Sequence, residues 1–281
     1  MADLDDHEVM TTNSTTKVWF ITGSSKGFGR HWAEAALERG DLVAATARNL
    51  GRLNDLTEHH GDSVLPIQLD VTDRAAAFAA VRRAAEHFGA LDVVVNNAGY
   101  GHFGMVEELS EQDIRAQLET NFFGALWVTQ AALPIMRAQR HGHIIQVTSE
   151  GGVLAFPGIG AYHASKWALE GLSQSLAQEV EGFGVHVTNL EPGPYATDWL
   201  NTGARHSARN ADYEVSRKDS STDWQVGDPF ATRAAILELA DAATPPLRMF
   251  LGKSLAPVTE EYEHRLRIWR DWQAVSLKAF G

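Results

Sequence analysis

The 281-residue chain has no cysteine and a formal charge of −12, from 24 Lys+Arg against 36 Asp+Glu. A thiol nucleophile, a disulfide framework and a cysteine-ligated metal are thereby excluded, and the acidic balance argues against nucleic acid or an anionic membrane as a partner. With 44% hydrophobic and 21% charged residues, the chain can bury a full core as one domain of the larger α/β kind.

Residues 1–16 read as a flexible polar leader, since Met1-Ala2-Asp3-Leu4-Asp5-Asp6 has neither the basic start nor the apolar centre of a secretion signal. With no such signal, and no apolar run near the length of a membrane span, the protein is expected in the cytoplasm. Residues 17–281 then read as a single domain. Lys17-Val18-Trp19-Phe20-Ile21 is a short apolar strand, followed at once by Thr22-Gly23-Ser24-Ser25-Lys26-Gly27-Phe28-Gly29 and a helical pattern through Trp32, Ala35, Ala36 and Leu37. Glycines in such a loop let the backbone approach a phosphate, and the free amides and dipole at the helix start favour its negative charge. The same residues spell Gly23-x-Ser25-x-Gly27, the form of a hydrolase nucleophile elbow with Ser25 as nucleophile. A hydrolase also needs an oxyanion-hole loop after an earlier strand, whereas this motif follows the first one.

The strand-then-helix rhythm continues. Asp41 to Thr46 and Val64 to Leu69 read as strands, ending in Ala47-Arg48-Asn49 and Asp70-Val71; Thr72 can cap an alanine-rich helix from Asp73 to His87. Leu91 to Val95 is a fourth strand, ending in Asn96-Asn97-Ala98-Gly99. Ser110-Glu111-Gln112-Asp113 has the form of a capping box opening a long helix through Asn121 to about Arg137, with Pro134 bending or fraying its last turn. His143 to Thr148 is a fifth strand ending at Ser149; a helix holding Tyr162 runs to Gly182 or Gly184; Val185 to Leu190 is a sixth strand, ending in Glu191-Pro192-Gly193-Pro194. Residues 195–228 are polar and read as a substrate lid. Asp228-Pro229 opens a helix to about Asp241, Leu247 to Leu251 is a seventh strand, and Pro257 opens a last helix ending near Lys278. The alternation predicts a single-domain doubly wound parallel sheet of about seven strands, with helices on both faces and ligands at the carboxyl ends of the strands.

Tyr162 and Lys166 are four apart, so a helix puts both on one face. A phenol is a poor acid or base near neutrality, but a neighbouring ammonium favours its anion and brings its pKa toward the working range. His59-His60 and the isolated histidines form no convincing ligand set, so no metal is expected.

Taken together, Thr22-Gly23-x-x-x-Gly27-x-Gly29, Asp70, Asn96-Asn97-Ala98-Gly99, Asn121, Ser149, Tyr162-x-x-x-Lys166 and Pro192-Gly193 resemble the short-chain dehydrogenase/reductase family from about Lys17 to Thr197. The serine stands 13 positions before the tyrosine, as in that family. The resemblance implies a Rossmann-type NAD(P)-dependent oxidoreductase interconverting a small-molecule ketone and alcohol. Tyr162 would be general acid and base, Ser149 would hydrogen-bond the carbonyl oxygen, Lys166 would tune the phenol and hold the nicotinamide ribose, and Asn121 would position a proton-relaying water. The cofactor is expected to contact Thr22, Gly23, Ser25, Lys26, Gly27, Phe28, Gly29, Arg48, Asp70, Val71, Asn97, Ala98, Gly99, Tyr162, Lys166, Pro192, Gly193 and Thr197. A nucleotide-binding regulator that has lost catalysis is the alternative, and the intact Ser149, Tyr162, Lys166 and Asn121 set argues against it.

Sites for NAD place an acidic residue at the end of the second strand; Ala47 stands there instead, followed by Arg48, with Lys26 in the glycine loop. NADPH is therefore expected over NADH, its 2′-phosphate held by both cations. Tyr100, His102, Phe103, Val153, Leu154, Phe156, Tyr195, Trp199 and Leu200 would make a mostly apolar substrate wall, suited to a medium or bulky ketone or secondary alcohol. A homo-oligomer, dimer or tetramer, is expected through helices 111–137 and 162–182, whose outer faces carry Phe122, Leu126, Trp167 and Leu172.

Overall fold

The computed structural model describes residues 16–199, 203–219 and 225–280. The expectations for Leu200 and for nearly all of the leader lie outside them.

The first strand shows how the layers arise. Successive side chains of a strand alternate between faces, so Trp19 and Ile21 of β1 (Val18–Ile21) enter one apolar layer and Phe20 the other. The chain continues through α1 (Gly27–Glu38), β2 (Leu42–Ala47), α2 (Asn54–His60), β3 (Val64–Gln68), α3 (Arg74–Phe88), β4 (Val93–Asn96) and a short β5 (His102–Phe103). Next come α4 (Glu111–Leu118), a π turn (Glu119–Phe123), α5 (Gly124–Gln139), β6 (Gly142–Val147), α6 (Gly160–Val180), β7 (Val185–Pro192), a short β8 (Arg205–His206) and α7 (Glu214–Asp219). The last elements are α8 (Thr232–Asp241), β9 (Arg248–Leu251), α9 (Leu255–Asp271) and α10 (Gln273–Phe280). Among the described residues, seven strands form one parallel sheet in the order β3-β2-β1-β4-β6-β7-β9, the doubly wound arrangement expected.

On one face, Trp32 and Ala36 of α1, Leu56 of α2 and Ile236 and Leu239 of α8 cover Trp19, Ile21 and Val43. On the other, Ala77 and Val81 of α3, Val128 and Met136 of α5 and Leu176 of α6 cover Phe20, Val94 and Ile144. Among the described residues, the two fully buried tryptophans satisfy their indole N–H groups, Trp19 on Asp41 and Trp32 on Thr232, both at 2.8 Å.

Several local expectations change. Asp73, not Thr72, caps α3 through the Ala76 amide at 2.9 Å, because Thr72 is engaged with the Asp70 carboxylate. Ser110 and Asp113 do form a capping box. The long helix beyond it is interrupted by the π turn, and α5 carries Pro134 inside it and ends at Gln139, two residues past the expected limit. The last helix starts at Leu255, two residues before Pro257, and breaks at Trp272. The 203–219 stretch carries β8, which pairs with β5, and α7; neither pattern is long enough to be read from sequence.

Candidate active site

β1 pairs with β2 on one side and β4 on the other, so the strand order reverses between β1 and β4. At such a reversal the loops after the strands part and leave a crevice. A cleft of about 760 Å³ opens there, running from Arg48 and Asp70 past Gly23 and Gly99 to Tyr162 and Trp199.

The glycine loop is locked to the end of β4. Asn97 Nδ2 donates to the Thr22 and Gly23 carbonyls at 2.8 and 3.2 Å, and Thr22 Oγ1 accepts from the Asn97 and Ala98 amides, both at 2.9 Å. Gly23 holds a left-handed φ of 71°. A Cβ on Gly29 would stand 2.5 Å from Asn97 Nδ2 and 2.6 Å from the Gly23 carbonyl oxygen, so this packing admits only glycine. No side chain caps α1 and its first turn holds no acidic residue, which leaves its amides and dipole facing the cleft. These features fit a dinucleotide pyrophosphate. Gly23, Ser25, Lys26, Gly27, Phe28, Arg48, Asp70, Val71, Asn97, Ala98, Gly99, Pro192, Gly193 and Thr197 all line the cleft. Thr22 and Gly29 lie beneath it as supports. Lys26 is ion-paired with Asp198 at 3.5 Å, so of the two cations expected to face a phosphate one already has an acidic neighbour.

At the other end, Ser149, Tyr162 and Lys166 converge from the end of β6 and the first turns of α6. Ser149 Oγ accepts from the Gly151 amide at 3.0 Å and lies 3.4 Å from the Pro192 carbonyl it can donate to. Burial pushes the Tyr162 phenol up to about 12; the Ser149 hydrogen bond opposes this shift and the Glu150 carboxylate adds to it. Burial pushes Lys166 down to about 8, and its Nζ donates to the Val147 carbonyl at 2.7 Å. The expected lowering of the phenol by Lys166 is not seen: the ammonium is turned toward a backbone oxygen, and burial sets the direction of the shift.

Asn121 sits in the π turn, buried. Its Oδ1 accepts from the Tyr100 amide at 3.1 Å, and its Nδ2 donates to the Tyr100 carbonyl at 3.0 Å and to Ser165 Oγ at 3.1 Å. It thus ties the loop after β4 to α6, and a Cβ on Gly99 would come within 3.1 Å of its Oδ1 and 3.7 Å of Lys166 Nζ.

The substrate wall is narrower than expected. Tyr100, Phe156, Tyr195 and Trp199 line the cleft, and Trp199 lies 5.0 Å from the Tyr162 ring, centroid to centroid. Val153 and Leu154 instead turn away into a side cluster with Val258 of α9. His102 is buried in the β5–β8 ladder with its Nε2 2.9 Å from Ser207 Oγ, and Phe103 packs behind Trp199 at 5.7 Å. The period of a two-residue strand cannot be read from sequence, so the burial of His102 left no signal. The 203–219 stretch is held to the turn before α4: Glu108 binds Arg217 and accepts from the Asn210 amide at 2.6 Å.

Two groups escaped the sequence reading. Glu150 lines the cleft beside Ser149, bonded to the Ser254 hydroxyl, with burial pushing its carboxyl up. His163 holds the 151–156 loop, its Nδ1 2.7 Å from the Gly151 carbonyl and its Nε2 accepting from the Phe156 amide at 2.7 Å. Each stands next to a residue already singled out, but its role depends on loop paths that no periodicity encodes. Among the described residues no cluster of three His, Asp or Glu could hold a metal, and no helix is long and apolar enough to cross a membrane.

Comparison with known proteins agrees with this geometry. The chain is 42% identical over 246 residues to oxidoreductase BOA17 of Botryotinia fuckeliana, covering 84% of this chain and 89% of that protein. It is 34% identical over 247 residues to 3-ketodihydrosphingosine reductase of Bacteroides thetaiotaomicron, covering 84% and 88%. The crystal structure of a short-chain dehydrogenase from Streptomyces avermitilis superposes with a TM-score of 0.88 at 38% identity, covering 94% of this chain and 99% of that one. The serine-hydrolase reading of Ser25 and the reading as a regulator without catalysis both give way to these oxidoreductase relatives. A family profile described as short chain dehydrogenase matches residues 17–207, and the chain accordingly belongs to the short-chain dehydrogenase family of oxidoreductases.

Proposed function

We propose that this oxidoreductase interconverts a medium or bulky apolar ketone and its secondary alcohol, with NADPH as the preferred reductant. The observation that carries the reading is the convergence of Ser149, Tyr162 and Lys166 at one end of the cleft whose other end is the glycine loop and Arg48. A reduced nicotinamide held by the residues between these two ends would supply the hydride for the carbonyl carbon. Negative charge then grows on the carbonyl oxygen, and groups placed at that oxygen lower the barrier. The Ser149 hydroxyl donates a hydrogen bond to it and the Tyr162 phenol gives it a proton, closing the alcohol. A phenol held high, at about 12, keeps its proton until the oxygen becomes basic enough to take it. In the reverse direction the same oxygen of Tyr162 takes the proton back.

Arg48 is exposed at the end of β2, where Ala47 offers no carboxylate to repel a phosphate. A guanidinium there can bind a 2′-phosphate through two donors. Phe156, Tyr195 and Trp199 beside Tyr162 favour an apolar body over a charged one. Purified protein is expected to oxidise NADPH with aromatic, alicyclic or long-chain ketones, and to leave phosphorylated sugars untouched. Turnover confined to small charged carbonyls sinks the substrate reading, and equal Michaelis constants for NADPH and NADH sink the cofactor reading.

A further inference from the structure

α9 is strongly two-sided, and among the described residues part of its apolar side is left exposed. Val258 packs on Val153, Leu154, Phe156 and Phe250. One turn and more further on, Arg265 lays its guanidinium over the Trp167 indole at 4.7 Å and reaches the Val153 carbonyl at 3.3 Å. Beside that docked line runs a second one, Tyr262, Leu266 and Trp269, spaced four and three residues apart on adjacent turns. These three are 43%, 43% and 66% exposed, and the Arg265 guanidinium lies 5.2 Å from the Tyr262 ring centroid. Indoles and phenols bury roughly 150–250 Å² each when wholly covered; these side chains, partly covered already, bring a fraction of that, and their neighbours on the helix must supply the larger share of the ~800 Å² per partner of a standard interface.

The charges beside the stripe indicate what covers it. With Leu266 at one core position of a helix pair and Tyr262 and Trp269 at the other, the residues immediately following the latter two are Glu263 and Arg270. They flank the stripe on the same side, seven residues apart. In an antiparallel pair centred on Leu266, like flanking positions of the two helices meet, so each Glu263 faces an Arg270 of the second copy; flanking charges of this kind set partner and orientation. A lipid surface fits poorly: α9 sets Glu260, Glu261, Glu263 and Asp271 against Arg265, Arg267 and Arg270, without the basic excess that draws an interfacial helix to anionic lipid.

We propose that a second copy of this chain packs antiparallel along the Tyr262–Leu266–Trp269 stripe, closed by reciprocal Glu263–Arg270 pairs. This face is distinct from the expected interface on helices 111–137 and 162–182. It also braces the 151–156 loop beside Ser149, because the docked half of the same helix rests on Val153 and Leu154.

The test uses the full chain. Light scattering at low micromolar concentration is expected to show Trp269→Glu with half the mass of the wild type, at unchanged thermal stability of the fold. The chain has no cysteine of its own, so engineered thiols report contacts without background. Under oxidation, an equal mixture of Glu263→Cys and Arg270→Cys chains is expected to cross-link at least ~10-fold faster than either alone, through the high effective concentration of paired sites. Equal masses for wild type and Trp269→Glu overturn the proposal. So does cross-linking of each single variant as fast as the mixture, or Trp269-dependent co-sedimentation with phosphatidylglycerol vesicles by a chain whose mass the substitution does not change.

Discussion

Lys166 Nζ donates to the Val147 carbonyl at 2.7 Å while standing 5.7 Å from the centroid of the Tyr162 ring. Burial disfavours both ions, holding the phenol at about 12 and the ammonium at about 8. If Tyr162 gives the proton, Tyr162→Phe lowers turnover by at least ~100-fold and up to ~10,000-fold, the range for loss of a general acid, with cofactor affinity nearly unchanged. The rate of ketone reduction is also expected to fall as pH rises through about 8, where Lys166 loses its charge. That break disappears in Lys166→Met. Near-normal turnover of Tyr162→Phe removes the phenol from the reaction.

Cofactor choice rests on Arg48. Arg48→Ala is expected to weaken NADPH binding by roughly 1.5–3 kcal/mol, the scale of a hydrogen bond to a charged group, and to leave NADH almost untouched. Titration of both cofactors into both proteins measures it. Because Asp198 draws on Lys26 at 3.5 Å, Asp198→Asn is expected to tighten NADPH modestly, and less so at high salt.

Gly29→Ala tests the clamp between the loop and β4. Its methyl would meet the Gly23 carbonyl oxygen at 2.6 Å, and a backbone oxygen cannot swing aside as a side-chain end can. A loss of about 1–3 kcal/mol of stability is expected, as for other overpacked sites, together with weaker cofactor binding. An unchanged urea midpoint would show that the loop yields.

Stability should respond to pH through two buried groups of opposite sign. Burial, with His186 adding, pushes His143 down to about 3, so it binds its proton more weakly folded than unfolded. Its contribution is present above about pH 6.5 and is lost as pH falls toward its folded value. Glu191 is pushed well above the ordinary carboxylate range by burial and then by the neighbouring Glu170. It binds its proton more tightly folded, so its contribution is full below about pH 4.3 and is lost as pH rises through its folded value. Relative to wild type, Glu191→Gln should gain stability toward alkaline pH and His143→Gln toward acid pH. Urea midpoints that run parallel to wild type at all pH values would contradict both assignments.

The sheet was legible because its signals are repeated. Val18 to Ile21 and Val93 to Asn96 are apolar runs, and Val185 to Pro192 mixes apolar with polar residues; each is closed by Gly, Asn or Pro and lies within a residue or two of its expected limits. Ser149, Tyr162 and Lys166 were legible as a spaced set that the fold brings to one end of the cleft. What escaped was set by paths rather than periods. Thr72 and Asp73 are both capping residues in sequence, and only the Asp70 side chain decides between them. Val153 and His102 have the character of wall residues but turn into other contacts, because α9 and β8 arrive from distant parts of the chain.

The π turn at Glu119–Phe123 makes this part of the chain sensitive to length more than to identity. A wider turn holds one residue more than an α-helix needs, so a single deletion there would let α4 and α5 fuse into one regular helix. Everything on one side of the deletion would then rotate by about 100° against the other. Asn121 would leave Tyr100 and Ser165, or Val128 and Met136 would leave their places under the sheet. The extra residue acts as a phase shifter, letting one continuous helix serve the core with one end and the candidate site with the other.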